Sequence, residues 1–142
     1  MSLPTREEIN IHDSLDERSA CKNFLGKTLP EAEAMFQEAP LAYQEDLMFM
    51  GLVAFRFYVQ AAISYIESES ATRDSDMINC FTGVLEHRLE WEQGELVPIS
   101  GRLASVCAFI IDHYNHFDLT PEIYDDLRPR LVALREALSR LS

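Results

Sequence analysis

Residues 47–66 read LMFMGLVAFRFYVQAAISYI, and the fold class turns on what this stretch is. From Leu52 to about Glu67 its apolar side chains go nearly all the way round a helix. Val53, Phe57, Ala61 and Ile66 are joined by Phe55, Val59 and Ile63. A helix apolar on most sides is buried among other helices. Its one polar stripe is Arg56, Gln60, Ser64 and Glu67, at helical spacing. The stretch is also about long enough to cross a bilayer. Against that, Arg56 falls near its centre, where an arginine costs roughly 2.5–3.5 kcal/mol on insertion scales. Gly51 interrupts it, and acids flank both ends (Glu45 and Asp46, Glu67 and Glu69). The stretch reads as the buried helix of a globular chain.

Towards the N-terminus the chain carries helix punctuation. Ser14 with Glu17 has the spacing of a capping box, and Gly26 suits the end of the helix it opens. Thr28 with Glu31 repeats the device, with Pro30 tolerated in the first turn. That second helix should stop near Ala39, because Pro40 disfavours helical geometry just before it. Another helix runs from Leu41 to about Met50. Residues 1–13 are expected to form a flexible, frayed or extended segment.

Towards the C-terminus, Ser68 to Ser75 reads as a polar loop. A helix from about Asp76 to Trp91 buries Ile78, Phe81, Leu85 and Leu89, with Asn79, Gly83, Glu86, His87 and Glu90 opposite. Gln93-Gly94-Glu95 ends it, and Pro98 helps start a helix from about Ile99 to His116. There Leu103, Val106, Cys107, Ile110, Tyr114 and Phe117 form the clearest apolar stripe. Thr120-Pro121 is a further start signal, followed by a short turn with Ile123 and Tyr124. Pro129 begins or kinks a last helix with a narrow seam of Leu131, Leu134, Leu138 and Leu141. No strand alternation or hairpin turn appears. The prediction is an all-α fold: a compact bundle of six or seven helices around the central hydrophobic helix, with residues 14–142 as a single domain.

The 142 residues are 47% hydrophobic and 25% charged, the composition of a chain that can bury a core. The formal charge is −12, from 24 acidic and 12 basic residues. That field repels phosphate backbones and anionic bilayers, so neither nucleic acid nor a membrane surface is the expected partner. It suits solubility, or a basic protein partner. Cys21, Cys80 and Cys107 are odd in number, far apart and outside any zinc spacing. They fit a reducing, cytoplasmic setting, and no secretory signal is expected.

Motifs for chemistry are sparse. There is no Gly-rich phosphate loop, no G-x-S-x-G and no H-E-x-x-H. The Glu-x-x-His signature of helical di-iron proteins is absent before all four histidines. His113-x-x-His116, beside Asp112 and Asp118, has the spacing of two metal ligands, but it sits at the edge of a core stripe near a helix end, where histidines usually pack. His87 with Glu86 and Glu90 could form an acid–base group, or simply a solvated helix face. No metal or cofactor is expected.

Arg56, Gln60 and Ser64 leave two readings open. They pair with acids of other helices, Asp46 or Glu67 for instance, or they line a pocket for a small anionic ligand. The leucine seam also has two: it closes the bundle, or it meets a two-fold mate in a homodimer. The function expected is a non-enzymatic, acidic helical interaction protein, an adaptor or inhibitor of a basic protein. The alternative is a small-ligand-binding or metal-dependent enzyme built around Arg56, Gln60 and Ser64.

Overall fold

The computed structural model describes residues 2–120 and 126–141; the turn read at Pro121, Ile123 and Tyr124 lies outside them. Among the described residues every regular element is helical. The α-helices are α1 (Arg6–Ile9), α2 (Leu15–Phe24), α3 (Leu29–Glu38), α4 (Pro40–Phe49), α5 (Leu52–Ile66), α6 (Ser75–Glu92), α7 (Ser100–Asp112) and α8 (Leu127–Leu141). Three 3-10 segments join them: Glu69–Ala71, Gln93–Ile99 and Tyr114–Phe117. The fold is all-α, as expected, with α1 a single turn beside seven longer helices. The chain divides into two compact units, Met1–Tyr65 and Ile66–Ser142.

In the first unit the start signals act largely as the sequence implies. Thr28 and Glu31 form a reciprocal capping box on α3. Ser14 accepts the Glu17 amide at the start of α2, but the Glu17 side chain is buried and accepts the His12 amide instead of closing the box. Gly26, at φ +81, ends α2 in the left-handed conformation that suits a residue without a Cβ. Residues before Ser14 make specific contacts in this unit. Thr5 and Glu8 build a capping box on α1, Ile9 is fully buried, and the Gly51 amide donates to the Ile9 carbonyl at 2.9 Å.

Phe24 is the hub of this unit's core. Its ring lies 5.8 Å from Phe36, 5.9 Å from Tyr43 and 5.0 Å from Tyr58. The Tyr58 hydroxyl sits 2.8 Å from both the Phe24 and the Lys27 carbonyls. The phenolic proton therefore sits between two carbonyls, that of Phe24 at the end of α2, which also accepts the Lys27 amide at 2.9 Å, and that of Lys27 just beyond the helix. On α4, the buried carboxylate of Asp46 accepts from Ser19 at 2.7 Å and from Asn23 at 2.6 Å, clamping α4 to α2.

In the second unit Asp74 caps α6 by accepting the Met77 amide. The 38 residues Ser75–Asp112 contain a window apolar enough, by composition, to cross a bilayer. They form three segments, with a 3-10 stretch holding Pro98 between α6 and α7, and not one continuous helix. The α7 stripe is buried as read at Leu103, Val106, Cys107 and Ile110. The α-helix stops at Asp112, short of the expected His116, because His113 turns out of helical geometry (ψ 27) and a 3-10 turn follows. The Tyr114 hydroxyl accepts the Leu127 amide at 3.0 Å, and the Asp126 carboxylate accepts the Arg128 amide, so these two side chains cap α8.

Candidate functional site

The polar stripe of α5 faces solvent, and Val53, expected inside, is 45% exposed as well. Gln60 and Ser64 are exposed and Arg56 is half-buried. The Gln60 side-chain amide bonds back to the Arg56 carbonyl at 3.1 Å. Of the acids considered as partners, Asp46 is held by Ser19 and Asn23, and Glu67 takes a two-point bond from Arg102, at 3.0 and 2.7 Å. The deeply buried arginine is Arg88, 2% exposed on α6, with Nη1 2.7 Å from Glu92. Burial lowers its pKa, and the Glu92 carboxylate opposes that shift.

The two neighbouring histidines are committed to structure. The His113 ring stacks on Phe109 at 4.2 Å, and its Nδ1 is 2.8 Å from the Phe109 carbonyl, so Nδ1 carries the proton. Thr72 donates its hydroxyl to the Glu69 carbonyl, so its oxygen accepts from His116 Nε2 at 2.8 Å. That leaves His113 Nε2 and His116 Nδ1 as the free nitrogens, on rings 6.5 Å apart. Among the described residues no group of three metal-ligating side chains forms. The Glu86 carboxylate is taken by Arg130 of α8, at 2.9 and 2.5 Å, which removes it from any acid–base pairing with His87.

The leucine seam packs inside the second unit. Leu131 and Leu138 are fully buried, Leu134 nearly so, and Leu141 partly. One step round α8, Pro129, Ala133 and Ala137 recur at four-residue spacing, and their small side chains leave a furrow beside α6. The result is a groove of about 500 Å³, lined also by Glu86, Leu89, Glu90, Arg130 and Leu134. The bidentate pair of Arg130 with Glu86 cancels two of its charges. Glu90 remains as its uncompensated charge, and the next residue, Trp91, is 70% exposed. The alanine row is visible in the sequence at four-residue spacing, but that spacing does not say that α6 leaves a furrow beside it.

A second cavity, of about 350 Å³, lies in the first unit between α1 and α2. Arg6, Asn10, Arg18, Cys21, Lys22 and Leu25 line it. Neither cavity is lined by Arg56, Gln60 or Ser64. Comparison with family models, with curated proteins and with solved structures found no match.

Proposed function

We propose that the chain is a non-enzymatic acidic interaction protein of the cytoplasm, an adaptor or inhibitor whose partner is a basic protein. The α6–α8 groove carries this reading. An apolar furrow with one uncompensated carboxylate, Glu90, suits an amphipathic segment that brings apolar side chains and a lysine or arginine. The exposed Trp91 is the residue type that most often anchors protein interfaces. The net charge of −12 would speed encounter with a basic partner and make it sensitive to salt. The three free, buried cysteines suit a reducing compartment.

Affinity purification from the native host, with the wild type and Ala133→Trp side by side, tests the proposal. Ala133 is exposed on the groove wall, so a tryptophan there fills the furrow without entering the core. The expected result is a basic protein retained by the wild type, released by salt, and lost from Ala133→Trp. Equal retention by both proteins places any interaction outside the groove.

A further inference from the structure

The cavity between α1 and α2 is an island of positive charge in a strongly acidic chain. The first 65 residues hold five lysines and arginines: Arg6, Arg18, Lys22, Lys27 and Arg56. Three of them line this one cavity, and no carboxylate does. Arg18 and Lys22 stand one turn apart on α2, a like-charged pair that is unfavourable by itself. Arg6 faces the same space from α1, and neither Arg6 nor Lys22 has an ion-pair partner among the described residues.

Arg18 is held in place, and the backbone that carries Arg6 is fixed. Asp13, in a left-handed backbone conformation (φ 55), bonds Arg18 Nε and Nη2 at 2.9 Å each. Asn10 donates to the same Asp13 carboxylate at 3.2 Å. Two of the five guanidinium N–H groups are spent there, and three remain for a ligand. Cys21 Sγ donates to the Arg6 carbonyl at 3.7 Å, and the Thr5–Glu8 capping box fixes α1. The nearby acids leave this arrangement intact: Glu17 is buried on the His12 amide, and Glu7 lies on exposed α1 surface. Burial raises the Cys21 pKa, so the thiol stays protonated and the site binds without covalent chemistry.

From this geometry we infer that the α1–α2 cavity binds a phosphate group, through Arg6, Arg18 and Lys22. One free guanidinium fork (Arg6), an ammonium (Lys22) and the three N–H groups that Arg18 has left after pairing with Asp13 surround one space, and donors on several sides suit a tetrahedral dianion better than a single planar carboxylate. A volume of about 350 Å³ admits inorganic phosphate or the phosphate monoester of a small metabolite. This site is separate from the α6–α8 groove and does not depend on it.

Amide NMR titration of the full chain at constant ionic strength, with inorganic phosphate, glycerol 3-phosphate and malonate as probes, tests the inference. Phosphate should give saturable shifts at Asn10, Cys21, Lys22 and Leu25. The affinity should fall roughly tenfold in Arg6→Gln and in Lys22→Gln, and persist in Lys22→Arg. Arg6 and Lys22 are exposed, so the variants should melt like the parent. Tighter binding of glycerol 3-phosphate identifies an organic monoester as the ligand, and equal binding identifies free phosphate. Absence of saturation, undiminished binding in Arg6→Gln and Lys22→Gln, or malonate binding as tightly as phosphate would each overturn it.

Discussion

The Gly51 amide donates to the Ile9 carbonyl at 2.9 Å, joining the one-turn helix α1 to the junction of α4 and α5. The approach is close enough that a Cβ at Gly51 would stand 2.0 Å from the Glu8 carbonyl oxygen and 2.6 Å from Ile11 Cδ1. The obstacle is backbone, which cannot rotate aside as a long side chain would. Gly51→Ala should therefore destabilise the protein by about 1–3 kcal/mol or more, as overpacking does, read as a lower urea midpoint. An unchanged midpoint would mean that α1 is not docked on this junction.

Tyr58 offers a cleaner deletion, because phenylalanine keeps the ring. Tyr58→Phe leaves its contacts with Phe24 and Phe57 in place and removes the one proton shared by the Phe24 and Lys27 carbonyls. The Phe24 carbonyl keeps the Lys27 amide at 2.9 Å, so the expected loss is about 0.5–1.5 kcal/mol, the net worth of one hydrogen bond, measured by urea denaturation. A neutral substitution would show that the hydroxyl adds nothing to the bond the Phe24 carbonyl already makes with the Lys27 amide.

Three buried thiols give the protein an alkaline limit. Burial pushes Cys107 up to about 12 and Cys80 up to about 11, from an ordinary 9.0. Burial also raises the Tyr58 phenol. Each group holds its proton more tightly folded than unfolded. The stability this contributes is complete below about pH 9 and is lost as pH rises through the folded values. Urea midpoints should decline between pH 9 and 12, and a thiol-specific disulfide reagent should label the native protein slowly at pH 8 but rapidly in denaturant. Fast native labelling of Cys107 would contradict its burial.

Leu138 distinguishes a core seam from an exposed interface. Leu138 is fully buried in the second unit, so Leu138→Ala should cost about 2–5 kcal/mol of stability. Sedimentation at several protein concentrations should be the same as for the wild type. A variant that keeps its stability but shifts from dimer to monomer would assign the seam to a two-fold partner instead.

Much of the helical skeleton was legible in the chain because its signals are local. Thr28 with Glu31, Gly26 and Pro40 each act within a turn of themselves, and the structure uses all three. What escaped the sequence depends on distant neighbours. Gly51 reads as a helix break, and only the backbone of Glu8, forty-odd positions away, shows why it must lack a side chain. Arg56 and Arg88 both stand on amphipathic helices, and periodicity does not say that Arg88 is the one drawn fully inside. The boundary between the two units leaves no linker signal, since it falls between Tyr65 and Ile66 within α5. Both cavities were unread for a related reason. Arg6 meets Arg18 and Lys22 only through the docking of α1 on α2, and the furrow beside the alanine row of α8 exists only where α6 passes it.

Site-directed photocrosslinking from Ala133, through a benzophenone amino acid introduced in the native host, tests the proposed function most directly. The side chain faces the furrow between α6 and α8, so it reacts with whatever occupies it. The account predicts a crosslink to a basic protein, mapped to a segment that alternates apolar residues with lysine or arginine, and weakened by Glu90→Lys. A crosslink to a second copy of this chain, to an acidic partner, or to nothing at all would contradict it.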